Sequence, residues 1–428
     1  MRRVHGNGAD VAARVSLKRV SPPDATRRIL LADADAFYVA VARLVDPEGA
    51  GRARCLVVGG SAEHRGVVTS ASYEARAFGV HSAMPMARAM RLCPDAVAVP
   101  VPWEACAAKS REIRLTLERH APVVEQASQD EFYLDLSGTE KLYGHEPLAE
   151  TARRIRGAVV EATGLTLSVG GGTTKLVAKI AAGIAKPGPD RPGDGVCIVA
   201  PGDEETFLRR FTLAELPMIG PRAQERLAKL GWRTVTDVQR QDLRTLVARL
   251  GQREGEWLWE RVRGIDHSGV APWTEPKSIS RDTTFSKDLE SDDDLLRELA
   301  QQVDRATADL RGEGLVARTI TVKLRDADFT TRQAGKTLPA PVLTDRAVFA
   351  VARELLQRLR QKRRAPARLI GVALSQLERP GGEAQLALLE TERAVETERD
   401  RTLARAIDRV REKFGPDALG RARGQSER

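Results

Sequence analysis

Two short runs of this chain deliver acids to places where a strand ends or bends. Ile29-Leu30-Leu31-Ala32 is an unbroken apolar run that stops at Asp33-Ala34-Asp35, the pattern of a buried strand carrying carboxylates at its C-terminal end. Ser128-Gln129-Asp130-Glu131-Phe132-Tyr133-Leu134-Asp135-Leu136 reads as a hairpin of two strands, led into by Val123-Val124, with its Asp-Glu pair at the bend. Apolar residues at helical spacing over 104–120, a helix through about 147–162 and a strand at Leu165–Val169 complete a β-hairpin-α-β order. These are the ingredients of a ferredoxin-like split βαβ sheet, a common scaffold that fixes no function by itself.

The rest of the chain divides by pattern. Residues 1–26 mix Arg, Gly, Asp, Ser and Pro without periodicity and read as a flexible leader. Strands are expected at Cys55–Val58 and Val67–Ser70, and shorter helical pieces follow residue 183. A Pro-containing, non-periodic stretch at 269–276 reads as a linker. Beyond it, Lys277–Leu289, Ala317–Arg325 and Arg368–Leu377 read as strands, with helices at about 292–311 and 343–363 between them, giving a second α+β domain. Residues 381–428 form a charged tail with one helix near 397–414.

Composition narrows the function classes. With 30% charged residues and no long apolar run, the chain is expected to be soluble and cytoplasmic, with no membrane partner. Cys55, Cys93, Cys106 and Cys197 lack the spacing of a disulfide framework or a zinc site. A formal net charge of +9 and a pI near 9.6 favour a polyanionic partner without choosing nucleic acid.

The acids supply the chemistry. Magnesium prefers octahedral oxygen coordination, and two such ions can activate a 3′-hydroxyl and stabilise a leaving pyrophosphate. On this reading Asp33 and Asp130 bridge two Mg2+ ions, Glu131 binds the one nearer the 3′-hydroxyl, and the Ala34 carbonyl adds a ligand. Either acid motif alone would read as solvated loop acids.

The motifs are not alone. Asp33-Ala34-Asp35-Ala36-Phe37-Tyr38-Val39-Ala40-Val41 resembles the DxDxFFAxVE opening motif of the Y-family DNA polymerases, and Ser128-Gln129-Asp130-Glu131-Phe132-Tyr133-Leu134-Asp135 resembles their SxDEAYLD motif. Ser70-Ala71-Ser72-Tyr73-Glu74-Ala75-Arg76-Ala77-Phe78-Gly79-Val80 is similar to TANYEARKFGV. The resemblance continues at Lys175–Ala181, Leu216–Gly220 and Lys277–Ser280, covers roughly 27–380, and is nearest to the DNA polymerase IV type.

That resemblance implies a right-hand α+β architecture. The palm is ferredoxin-like, over 27–36 and 102–182, with small fingers over 37–101 and a helical thumb with a helix-hairpin-helix over 183–268. After the linker at 269–276 comes an α+β little finger over 277–380, and then the tail. It also implies site residues. Tyr73, Arg76 and Lys175 would hold the incoming triphosphate, with Phe37 and Ser70 also lining the nucleotide, where donors and positive charge oppose charge developing on oxygen. Tyr38 would be the steric gate against a 2′-hydroxyl, and Val67 the small roof over the nascent base pair. Gly220 would allow a tight turn whose N–H groups face a DNA phosphate. Arg353, Arg358, Arg360, Lys362, Arg363, Arg364 and Arg368 would grip the backbone; about six such contacts would give a log–log salt slope of roughly −5. Gln385-Leu386-Ala387-Leu388-Leu389 resembles the QLxLF peptide that docks on the sliding clamp.

The implied activity is template-directed translesion synthesis by a monomer, on primer-template DNA with deoxynucleoside triphosphates, at low fidelity and without a proofreading segment. Ala42, Gln129 and Thr173-Thr174 depart from the family pattern without removing a metal ligand. Two other readings stand beside it. A non-catalytic scaffold of the same fold would have no need of all three carboxylates with Tyr73, Arg76 and Lys175. A nucleotide cyclase would not need a hairpin-helix, a basic last domain or a clamp-like peptide.

Overall fold

The computed structural model describes residues 26–187, 194–380, 396–415 and 418–419; the leader over 1–25 and the clamp-like peptide Gln385–Leu389 lie outside them. In chain order, β1 (Ile29–Ala34) and α1 (Phe37–Val45) lead to β2 (Leu56–Gly59), β3 (Val68–Ala71), α2 (Tyr73–Ala77), α3 (Met86–Leu92) and β4 (Val97–Val99). Then come α4 (Trp103–Glu118), β5 (Val123–Gln126), β6 (Glu131–Asp135), α5 (Leu148–Thr163), β7 (Leu167–Gly172), α6 (Lys175–Ala185) and β8 (Val196–Ile198). Short helices follow: α7 (Glu204–Leu208), α8 (Pro221–Lys229), α9 (Val235–Gln239), α10 (Leu243–Leu250) and α11 (Gln252–Arg261). The last stretch holds β9 (Ser278–Leu289), α12 (Asp292–Gly312), β10 (Val316–Asp326), β11 (Thr331–Val342), α13 (Asp345–Lys362), β12 (Ala367–Glu378) and α14 (Glu398–Phe414).

The chain forms two compact units, one of Met1–Val41 with Pro102–Trp273 and the other of Ala42–Val101 with Thr274–Arg428. In the first, a five-stranded sheet has the order β5-β6-β1-β7-β8. All six residues of β1 are buried, as its continuous apolar run requires of a central strand. By strand alternation Ile29, Leu31 and Asp33 share one face. That face carries α6, because Ile29, Leu31 and Tyr133 pack with Ala178 and Ala182. Gly170 on β7 lets α6 come this close: a Cβ there would lie 2.0 Å from the Ala182 nitrogen and 2.2 Å from the Ala178 carbonyl oxygen. Leu176 and Ile180 continue from α6 into a second core with Leu208, Phe211, Leu227, Val238 and Leu258, which gathers the short helices.

Three expectations about this unit need correcting. The hairpin lies earlier than expected: its strands are 123–126 and 131–135, and residues 128–130 form the bend rather than a strand. Val196–Ile198, expected in the helical thumb, is instead a strand running parallel to β7; three residues are too few to display alternation, and the free edge of β7 supplies the pairing. The supposed linker begins with anchored residues, since Val270 packs on the β1–α6 core and the Ala271 N–H donates to Glu125 Oε2 at 2.9 Å.

The second unit contains a three-stranded sheet, β3-β2-β4, and a four-stranded antiparallel sheet, β11-β10-β12-β9. Leu295, Leu299, Val303 and Leu310 of α12, with Val348, Val351, Leu355 and Leu359 of α13, pack on Ile320, Val322, Ile370 and Val372. Strand β11 was not foreseen. It is an edge strand, mostly exposed, and Gly335, Pro339 and Pro341 interrupt its pattern. Helix α14 is fixed to α12 by two bidentate pairs, Arg311 with Asp408 and Arg411 with Asp304. Among the described residues no helix is long and apolar enough to cross a membrane.

Candidate active site

The acids are gathered by backbone pairing. Asp33 and Glu131 are direct partners across the antiparallel β1–β6 ladder, which puts both side chains on one face about 5 Å apart at Cβ. Asp130 is the last residue of the bend, and the Ala34 N–H donates to its carbonyl at 2.9 Å, so the bend cannot drift along β1. The neighbouring Asp35 points elsewhere: its Oδ1 accepts from Ser168 Oγ at 2.8 Å. Ala36 has φ 44, the left-handed region that alanine rarely enters. That turn starts α1 directly after the acids, so that Phe37 is buried while Tyr38 stays half-buried. The Tyr38 ring meets Phe37 and Trp103 edge-on at 5.3 and 6.0 Å. Burial raises its hydroxyl above the ordinary tyrosine range, and the negative charge of Asp130 adds to this.

Each acid also has a side-chain partner. Lys186 Nζ lies 2.8 Å from Asp33 Oδ1, and Lys179 Nζ donates to both oxygens of Glu131 at 2.7 and 2.6 Å. Ser128 Oγ donates to Asp130 Oδ1. Lys175 Nζ donates to both oxygens of Glu125 at 2.6 and 2.7 Å, over the Tyr133 ring. Burial pushes the Asp33 carboxyl up to about 6; Lys186 pulls against this, and the charges of Glu131 and Asp130 add to it. In this arrangement no three His, Cys, Asp or Glu side chains among the described residues close into a cage for a metal ion. The donor set nonetheless suits one: hard carboxylate oxygens on adjacent strands, close enough to sense one another's charge, with cations already drawn to them. The motifs assign no role to Lys179, Lys186 and Glu125, although helical spacing from Lys175 marks Lys179.

The Thr173-Thr174 departure from the family pattern has a local explanation. Thr174 caps α6, accepting from the Val177 N–H at 3.2 Å, and its hydroxyl donates to the Gly264 carbonyl at 3.0 Å. Thr173 Oγ1 donates to the buried Glu204 at 2.6 Å. Gln129 is exposed in the bend.

In the second unit, Ser70 lies on β3 opposite Val58. Helix α2 is capped by Ser72 and carries Tyr73 and Arg76. The Arg76 guanidinium stacks over the Tyr73 ring at 4.9 Å while Nε donates to the Ala71 carbonyl. Val67 is 50% exposed.

The DNA-contact expectations divide. Gly220 is the N-cap of α8, at φ −76, with Pro221 following. The positive φ of this segment belongs to Met218, at 70. Arg360 is not a surface phosphate contact. It is buried, and its three nitrogens donate to Asp292 Oδ1, the Ala365 carbonyl and the Glu290 carbonyl. Arg363 is paired with Asp328 and Asp326, Arg368 stacks on Phe329, and Arg353, Arg358, Lys362 and Arg364 are exposed.

Known proteins share this organisation. The model of the impB/mucB/samB family matches residues 32–183, and that of its C-terminal domain matches 276–388. The thumb-domain model of DNA polymerase-iota matches 214–266. A DNA polymerase IV of Dehalococcoides mccartyi is 36% identical over 389 residues, spanning 91% of this chain and 95% of that protein. The chain belongs to the Y-family DNA polymerases. A DNA polymerase IV of Caulobacter vibrioides is 37% identical over 91% of this polymerase and 93% of its own length. Among solved structures, the Y-family DNA polymerase chimera Dbh-Dpo4(243-245)-Dbh superposes with a TM-score of 0.71 at 26% identity, over 82% of this polymerase and 99% of that chain. An insertion ternary complex of Dbh DNA polymerase matches at 28% identity with a TM-score of 0.55, over 81% and 98%. The fold is therefore the α+β fold of this family, and a divalent metal ion is its cofactor.

Proposed function

We propose that this polymerase extends a primer 3′-end by nucleotidyl transfer at a centre of Asp33, Asp130, Glu131 and the Ala34 carbonyl, holding two Mg2+ ions. The activity is template-directed DNA synthesis of the translesion kind, a DNA-directed DNA polymerase reaction. The observation that carries the residue assignment is the cross-strand pairing of Asp33 with Glu131, with Asp130 held beside them by its backbone bond to Ala34. Bound there, the two ions would make the 3′-hydroxyl more acidic and offset charge gathering on the pyrophosphate.

The chain's own groups do the positioning. Asp33, Asp130 and Glu131 would hold the ions through their carboxylate oxygens, with Glu131 assigned to the side of the primer end. Tyr38, wedged beside Trp103, is assigned to the sugar edge, where a 2′-hydroxyl would meet its ring. Phe37 and Ser70 are assigned to the nucleotide, and Lys175, Tyr73 and Arg76 to the triphosphate, with charge-assisted hydrogen bonds as the physical basis. Lys175 is held at present by Glu125, from which a triphosphate would have to draw it. Val67, small and exposed, suits a loose roof over altered bases.

Primer-template DNA and deoxynucleoside triphosphates are the substrates in this reading. Gly220 at the α8 N-terminus, with Lys362, Arg363 and Arg364 at the end of α13, are the DNA-backbone contacts proposed; Arg360 is withdrawn from that set. Gln385, Leu386, Leu388 and Leu389 are proposed to dock on a sliding clamp, with the polymerase acting as a monomer. Four free thiols suit a reducing cytoplasmic setting.

Primer extension with Mg2+ tests the centre. Asp130→Asn should lose product formation by about a thousandfold or more, as expected for removal of a ligand that acts in the transition state. Wild-type extension by Asp130→Asn would remove the assignment.

A further inference from the structure

Lys175 and Lys179 lie on one side of α6, as 3.6 residues per turn dictate, and Lys186 is the residue that ends it. Each ends on a different acid of the sheet face below: Glu125, Glu131 and Asp33. The last two of those acids are the assigned metal ligands. An ammonium within hydrogen-bond distance of a carboxylate takes one of its lone-pair sites and sets a positive charge against an approaching divalent ion. Lys179 already engages both oxygens of Glu131, so a metal ion would meet there a carboxylate whose charge is already offset and two of whose lone-pair sites are taken.

We propose that Lys179 and Lys186 are displaceable counter-cations. They hold Glu131 and Asp33 in place on the α6 face when no divalent ion is present, compete with the ion for these acids, and move off as it binds. The inference rests on the assignment of Asp33, Asp130 and Glu131 as metal ligands. Without such counter-cations, Asp33, at 7% exposure, would carry a desolvated charge with no opposite charge against it. The helix backbone is closely packed on β7 at Gly170. Displacement is left to the side chains, and a single ammonium on a flexible four-carbon stem is suited to it. Lys179 and Lys186 have solvent to retreat into, at 36% and 32% side-chain exposure, whereas Lys175 has 16%. The consequence is that the polymerase's own lysines weaken its divalent affinity in the absence of DNA and nucleotide.

The test is Mn2+ binding to the full chain without DNA or nucleotide, read from the loss of the free Mn2+ paramagnetic resonance signal. Lys179→Met and Lys186→Met should each bind Mn2+ about tenfold more tightly than wild type, while Lys179→Arg and Lys186→Arg should gain nothing. Folded Met variants that bind no tighter would overturn the proposal. A second measurement needs no variant: on addition of Mg2+ to the wild-type protein, reductive methylation read by peptide mass spectrometry should rise severalfold at Lys179 and Lys186 and stay constant at Lys175. Unchanged labelling at both would equally overturn it. Asp130→Asn separates the two levels of argument. If it binds Mn2+ like wild type, the ligand assignment fails; if it loses Mn2+ while the Met variants match wild type, the lysine inference alone fails.

Discussion

Arg360 Nε donates to Asp292 Oδ1 at 2.6 Å, joining the last turn of α13 to the first residue of α12. The pair puts a cation at one helix's C-terminal end and an anion at the other's N-terminal end, where each also favours its own helix dipole. Arg360→Ala should therefore destabilise the second unit by about 3 kcal/mol, because it strips a buried guanidinium from three acceptors. Arg364→Ala, at an exposed position, should leave the melting temperature unchanged and lower the log–log salt slope of DNA binding by about 1. Denaturant melts and salt titrations of both variants decide this; an unaltered melt for Arg360→Ala would contradict its structural role.

Gly170 and Gly183 should respond in opposite ways to alanine. At Gly170 a Cβ would strike the backbone of Ala178 and Ala182, whereas at Gly183, on the same helix α6, it would meet nothing within 4 Å. Gly170→Ala is expected to cost about 1–3 kcal/mol and depress primer extension by displacing α6. Gly183→Ala should stabilise by up to about 1 kcal/mol through helix propensity. Urea unfolding with parallel extension assays measures both.

Asp33 gives a pH dependence with a definite sign. Its folded carboxyl lies at about 6 against an ordinary 3.8, chiefly because it is buried. A raised folded pKa means that its stabilising contribution is complete below pH 3.8 and lost as pH rises through about 6. In metal-free protein with chelator, wild type should lose stability relative to Asp33→Asn across that window, by at most about 3 kcal/mol, and the gap should then stay level. A gap that is constant from pH 4 to 7 would refute it.

Tyr38→Ala should admit ribonucleotides. The ratio of kcat/KM for deoxy- over ribonucleotide should fall about a hundredfold, the kind of change produced when a steric wall is removed. Steady-state incorporation opposite one template base reads it, and unchanged discrimination would remove the gate assignment.

Deleting Gln385–Leu389 should abolish stimulation by a sliding clamp while leaving clamp-independent extension unaltered. Equal stimulation of the two forms would show that the peptide has no part in docking.

Local pattern sufficed for much of this chain. The apolar run ahead of Asp33 reads as a buried strand and is one, and α12, α13 and α14 lie within a residue or two of where their periodicity put them. The ordered motifs likewise carried the family, because they are contiguous in sequence. Other features depended on neighbours distant along the chain. Strand β11 is an exposed edge whose Gly and Pro residues hide its alternation, and it exists because β10 offers it a ladder. Arg360 looked like its basic neighbours; only the approach of Asp292 and the Glu290 carbonyl makes it internal. Lys179 and Lys186 looked like ordinary helix-surface charges until β1 and β6 brought Glu131 and Asp33 beneath them. Sequence by itself determined which elements form and which chemistry-bearing residues they carry, since propensity and periodicity act over a few residues. Which charge meets which was decided only by tertiary structure, because Coulomb and hydrogen-bond energies depend on distances in space that chain position does not encode.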